Sequence, residues 1–545
     1  MTTPDAPDAP GPVHEIRRPE DLSRAVIASL ARSRCRIVLA PGLLDDLAAS
    51  RRATLDDLDG DRPVYGVNTG MGAMAGVRLD ADAQTRQQNT LMIGRAVGSA
   101  PWLRRDQGRA VLAARLRTLL HPAAGASPSL CEFLVALLDA DIVPAIPLRG
   151  GAAGEIIPLA HAGAVLIGTG QVLAPPTGRL AAEAGAGQPD ADQTGAGQPD
   201  GDRPGAVVDA APALLAAGLT PRPFEAKEGV AFLEGVPGLT ALATLAAEDT
   251  RALLAQIVIA SAASHAVVRA SHDPLHPALA DSEELSTVLA AMRGLLGGDV
   301  PGETSGGGPD RRLQAPVSFR VTAPAIAVAL RAVAGLEAAA DRALAAVTDS
   351  PAHLDGRFAG TFGFAGTDLA AQAGALTAAL LHLAELGAAR LHRMLDADIT
   401  GLSRQLSDAP GLHAGMVTVH KRAVGVVHRL RRFATPSLVG AMETSLGQED
   451  VQSFGFEAAE CLGEVISGLR DVLSCELLAV HQARLLGGPP EGLTGRGRAA
   501  LDEIAAVLPP GSADRPFGRD LDRVADLLEK GRPTAGLLEK GLAER

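Results

Sequence analysis

A chain of 545 residues, 47% of them hydrophobic, is long enough to bury one large core or several domain-sized ones. A formal net charge of −13 leaves no basic surface for a phosphate backbone, which excludes nucleic acid as a general partner. Aromatic residues make up only 2%, so Ala, Leu and Val must carry the packing, and that suits close-packed helices better than β-sandwiches.

In chain order, residues 1–20 ("MTTPDAPDAPGPVHEIRRPE") are proline-rich and acidic, with no apolar segment behind a basic patch. They are expected to form a disordered tail rather than a secretion signal. Residues 21–215 mix short helical patterns, a strand at "RIVLA" and glycine-punctuated loops, and are expected to form an N-terminal domain. Within them, residues 181–206 repeat GAGQPD from Gly185 and from Gly195 with no apolar anchor, the composition of a flexible surface insertion. Residues 216–486 are predicted to be a central bundle of long helices. The run "ALLAQIVIASAASHAVV" is broken by Gln256, serines and His265, which predicts a buried helix and not a membrane span. Further helices are predicted over residues 323–347 and 369–395. A last one carries the apolar stripe Leu462, Ile466, Leu469, Leu473, Leu477 and Val480, spaced by three and four. "GGPPEGLTGRG" ends it, and residues 487–545 form a weaker helical tail. Cys35, Cys131, Cys461 and Cys475 have neither disulfide-framework nor metal-ligand spacing and are expected to be packing thiols. No metal and no membrane are expected, and a cytoplasmic location is the default expectation.

Four stretches carry residues suited to chemistry. "PVYGVNTGMGAMAG" holds the chain's single tyrosine, Tyr65, together with Asn68 and Gly72, in a chain that has eleven phenylalanines. "GGAAGEIIPLAHAG" is a small-residue loop running into a helix. "QAPVSFR" ends in Arg320, and "TSLGQEDVQSFG" sets Gln448 and Glu449 ahead of the stripe helix. Singly, each has a structural explanation: turn glycines, a solvated arginine, carboxylates at a helix start.

Their order and wording resemble the histidine and aromatic amino-acid ammonia-lyase superfamily, which includes the aminomutases. "YGVNTGMG" resembles that family's YGxNTGFG, "IPLRGGAAGEIIPLAHAG" its IPxxGSVGASGDLAPLAH, and "FEAKEGVAFLEGV" its KEGLALxNGT. "QAPVSFR" resembles QDxYSxR, "TSLGQEDVQSFG" resembles TSxxQEDHVSMG, and "VLSCELLAVHQARLL" resembles VLAIELLAAxQALDxR. The resemblance runs from about residue 21 to 486. It implies a mainly α-helical ammonia-lyase-like fold, with active-site loops in the N-terminal domain, and a homotetramer whose active sites draw on three subunits.

The sequence departs from the family where the family makes its electrophile. That group is a methylidene-imidazolone ring, formed from Ala-Ser-Gly by backbone cyclisation and loss of the serine hydroxyl. Here the tripeptide is Ala152-Ala153-Gly154. The family's Asn-Gly-Thr is Glu234-Gly235-Val236, the tyrosine and aspartate of QDxYSxR are Val317 and Ala315, and the histidine of QEDH is Val451. The ring is therefore expected to be absent, and no other cofactor is implied.

By resemblance, Tyr65 is the base that takes a proton from the carbon beside the leaving group, with backbone N–H groups of its loop stabilising the phenolate. Arg320 and Asn68 hold the substrate carboxylate, and Glu449 is an acid/base group near the leaving group. Glu234 is either an ion-pair partner of Arg320 or a new general acid. Arg95, in "LMIGRAVG", stands where relatives carry ring-selecting residues; it either faces the site, where it suits a second anionic group, or points to solvent. The favoured reading is a ring-independent lyase or isomerase acting on a small carboxylate-bearing molecule by elimination, dehydration, conjugate addition or cyclisation. The alternatives are a non-catalytic homologue serving as a binding or regulatory subunit and, third, an ammonia-lyase with a different electrophile.

Overall fold

The computed structural model describes residues 11–58, 62–152, 154–174, 206–297, 314–440, 442–490 and 492–533. The expectations placed on residues 1–10, on Ala153 and on residues 181–205 fall outside that set. The described chain is mainly α-helical, with three two-stranded sheets as its extended structure. It divides into two units. The first comprises residues 1–245, 338–371 and 437–460, and the second residues 246–337, 372–436 and 461–545.

In the first unit, helices Arg24–Ala31, Arg105–Leu119, Pro128–Asp139, Ile156–Leu166 and Glu228–Leu233 enclose a core of Leu112, Leu116, Leu130, Leu134, Leu159 and Phe232. Local chemistry starts these helices where they begin. Ser127 accepts the Leu130 N–H, and Pro128 occupies a first-turn position whose N–H would have no partner. The predicted strand is present as Arg36–Leu39. It pairs in parallel with Val13–Ile16, which corrects the reading of residues 1–20 as a tail. Ile16 is buried in the core, and one well-packed side chain on a four-residue strand is too short a signal to stand out from the prolines before it. Strands Gln171–Leu173 and Val207–Asp209, which flank the expected insertion in the sequence, pair antiparallel.

The second unit contains the stripe, on helix Gly455–Gly487, and all six predicted stripe residues are buried. Helices Thr322–Ala345 and Thr367–Met394 match the two other predicted helices to within three residues. The apolar run lies in helix Pro237–Val267. The most apolar window of residues 228–267 is long and apolar enough to cross a bilayer, yet 94% of it is buried in protein. Cys35, Cys131 and Cys475 are buried.

Candidate active site

The first unit contains a cavity of about 390 Å³ whose wall gathers residues from four separate stretches of sequence. The tyrosine loop supplies Tyr65, Met71 and Gly72, the end of helix Ala81–Arg95 supplies Arg95, the small-residue loop and its helix supply Ala152, Ile156 and Ile157, and the last stretch supplies Thr444, Ser445 and Glu449. A smaller cavity, about 240 Å³, is found in the second unit. Its single ionisable lining residue, Arg269, turns to the Thr400 carbonyl, so it lacks an acid–base pair.

Tyr65 is held by its own loop. Its hydroxyl oxygen accepts the Gly72 N–H at 2.7 Å, and Gly72 reaches that position with φ +56° while a Cβ there would press on the Ser445 hydroxyl at 3.2 Å. The expected N–H donor is thus present. Even so, the phenol is raised above its ordinary 10.0, because burial outweighs that hydrogen bond and the Glu234 and Glu449 charges add to burial, with Arg95 opposing them.

Asn68 is buried beneath the loop. Its side-chain oxygen accepts from the Val64 N–H and from Arg78, and its nitrogen donates to the Arg62 carbonyl. The amide that resemblance assigns to a substrate carboxylate is here engaged in building the turn. Arg95, left open between cavity and solvent by the sequence, lines the cavity. Its Nη2 lies 3.8 Å from the Met71 sulfur, and among the described residues it forms no ion pair. Burial lowers its pKa, opposed by Tyr65, Glu234 and Glu449.

Glu449 faces the same space and accepts hydrogen bonds from the Thr444 hydroxyl at 2.5 Å and the Ser445 hydroxyl at 2.8 Å. Glu234 terminates helix Glu228–Leu233 and is buried within electrostatic range of Tyr65, Arg95 and Glu449. It makes no ion pair among the described residues. Burial, then Asp349 and Glu449, push its carboxyl up to about 8, against Arg115 and Lys227. Those two cations are themselves buried: Arg115 donates to the Ala231 and Glu234 carbonyls, and Lys227 pairs with Asp349 at 2.7 Å. Gln448 is exposed. Arg320 belongs to the second unit, where it is exposed and donates to the Gln314 side chain at 3.0 Å.

The sequence reading passed over Glu155, one residue beyond the tripeptide. Its carboxylate accepts the N–H groups of Gly238 and Leu239, both at 2.6 Å, and so caps the start of helix Pro237–Val267. Burial lifts it to about 7. Thr444 and Ser445, which orient Glu449, were also passed over, although both stand in the quoted "TSLGQED". The signal for Glu155 was an acid placed directly after the tripeptide.

The tripeptide does not fit the family's ring. Ala152 lines the cavity, Gly154 takes φ +74° where a Cβ would meet the Phe364 carbonyl at 3.2 Å, and the residue between them is an alanine, without a hydroxyl to lose. Among the described residues, no group of three or more His, Cys, Asp or Glu side chains is placed to hold a metal ion.

Comparison with known proteins gives one result throughout. The sequence profile described as aromatic amino acid lyase matches residues 22–506. The chain is 31% identical to a probable histidine ammonia-lyase of Halobacterium salinarum, covering 96% of this chain and 97% of the relative. It is 28% identical to the histidine ammonia-lyase of Anaeromyxobacter sp. (strain K), covering 94% and 98%. Among solved structures it is similar to tyrosine aminomutase from Streptomyces globisporus (TM-score 0.82, 25% identity, 96% and 97% covered). In fold it also matches an ergothionase from Treponema denticola, solved with desmethyl-ergothioneine sulfonic acid (TM-score 0.83, 21% identity, 95% and 99% covered).

Proposed function

The chain belongs to the aromatic amino acid lyase family, a family of lyase-type enzymes, and from that premise we propose that it performs its elimination or addition without the ring electrophile. The observation that carries this reading is one cavity that sets Tyr65, Arg95 and Glu449 against the loop of Ala152, where relatives build the ring. The substrate is a small carboxylate-bearing molecule.

In the eliminating direction, Tyr65 acts through the minor phenolate fraction that a pKa above 10.0 leaves, and takes a proton from the carbon beside the leaving group. The electron pair left behind forms the carbon–carbon double bond as the bond to the leaving group breaks. The departing amine or hydroxyl takes a proton from the Glu234 carboxyl, which keeps its proton at neutral pH. Proton exchange with solvent resets both groups, and addition follows the same path in reverse. Glu449, fixed by two hydroxyls, holds the leaving group in place.

We place the site in a homotetramer. Its surroundings in the first unit expose Met74, Ile93, Val97, Met442, Leu446 and Val451, with Leu446 95% exposed, an apolar surface that a second copy would cover. In that assembly Arg320 serves a neighbouring copy. The second reading, a non-catalytic binding subunit, draws on the inward-turned Asn68 amide and the exposed Gln448.

The test joins mass to turnover. The peptide spanning residues 152–154 is expected at its unmodified mass in a preparation that forms unsaturated carboxylates from amino or hydroxy acids. A deficit of two waters in that peptide would restore the ring. Carboxylates that bind but are never turned over would favour the non-catalytic subunit.

A further inference from the structure

Arg95 is the one cation among the residues lining the cavity. A guanidinium carries five N–H donors, and the contact that Arg95 makes is to a thioether, a weak acceptor. Glu449, the carboxylate in the same wall, is already held by Thr444 and Ser445 and forms no ion pair with it among the described residues. Half-buried, with burial working against its charge, Arg95 feels Glu234 and Glu449 at a distance but has no carboxylate directly paired with it among the described residues, which leaves its donors available to an incoming anion. Tyr65, the proton acceptor of the proposed reaction, shares the wall and feels the Arg95 charge.

We propose that Arg95 binds a carboxylate attached to the carbon that gives its proton to Tyr65, so that the substrate is a dicarboxylic amino or hydroxy acid. This rests on the elimination reading above and supplies what the missing ring would otherwise leave undone. A C–H beside an alkyl or aryl group is a poor acid. Beside a carboxylate, the electron pair left by proton loss spreads onto two oxygens, and the planar two-pronged guanidinium meets that charge as it forms. The pair then returns to carbon to make the double bond as the neighbouring bond to nitrogen or oxygen breaks. The products are an unsaturated dicarboxylate and ammonia or water, and no oxidant or reductant is consumed.

Isothermal calorimetry on the full-length protein tests this with two pairs of probes in which a carboxylate replaces a methyl group: fumarate against crotonate, and trans,trans-muconate against sorbate. In at least one pair the dicarboxylate is expected to bind about ten- to a hundredfold more tightly. Arg95→Met should abolish that preference and Arg95→Lys should retain part of it. Equal binding of monoacid and diacid by the parent, a comparison that needs no variant, would overturn the assignment of Arg95 while leaving the carboxylate-substrate reading standing. A preference that survives in Arg95→Met would do the same. Binding of none of the four would overturn both.

Discussion

Two arginines, one in each unit, show how differently a buried charge can be used. Arg390, in the second unit, is 1% exposed and fully matched: Nε and Nη2 each lie 2.7 Å from a Glu476 carboxylate oxygen, and Nη1 lies 2.8 Å from the Thr322 hydroxyl. Arg95, in the first, is half-buried beside a cavity, with a sulfur at 3.8 Å, while the Glu449 carboxylate in the same wall accepts from the Thr444 and Ser445 hydroxyls. Burial alone does not separate a structural ion from a functional one. What separates them is whether a carboxylate is directly paired with the guanidinium, and among the described residues Arg95 has none.

The largest expected effect falls on the matched arginine. Glu476→Gln would leave a buried guanidinium uncompensated and should destabilise the protein by about 3–5 kcal/mol in chemical denaturation. Arg95→Met orphans no partner and should change stability by about 1 kcal/mol or less. Comparable losses at the two positions would break the comparison.

A smaller effect sharpens it. Glu155 and Glu234 sit at about 7 and about 8, above the ordinary 4.5, so the folded chain holds protons that the unfolded chain releases. Stability contributed by the protonated forms is complete below about 4.5 and is lost as pH rises through about 7 for one group and about 8 for the other. Each contributes a slope of about 1.4 kcal/mol per pH unit inside its window. Glu234→Gln cannot ionise and should flatten the fall between about pH 5 and 8, measured as denaturation midpoints across that range. An unchanged slope would mean that Glu234 is ionised in the folded protein.

Much of this was legible in the sequence, for reasons that differ by residue. The stripe from Leu462 to Val480 was readable because helical period alone decides which side chains turn inward. Tyr65 was readable because its loop is local: six residues separate it from the Gly72 N–H that binds its oxygen. The direction of Arg95 was not, since it is the last residue of helix Ala81–Arg95, where the period no longer fixes a long side chain and Met71, 24 residues away, decides the contact. Nor was the proton on Glu234, which depends on burial and on the distant Asp349 and Glu449. Strand Val13–Ile16 went unseen because its partner, Arg36–Leu39, lies across a whole helix.

The central claim is that the Tyr65 hydroxyl moves the proton. Tyr65→Phe removes one oxygen and preserves ring volume, so the fold should be retained. Measured as turnover on a substrate of the parent enzyme, with unaltered far-ultraviolet circular dichroism as the control, the variant is predicted to lose roughly a hundred- to ten-thousand-fold in rate. A phenylalanine variant that folds and turns over like the parent would contradict the account.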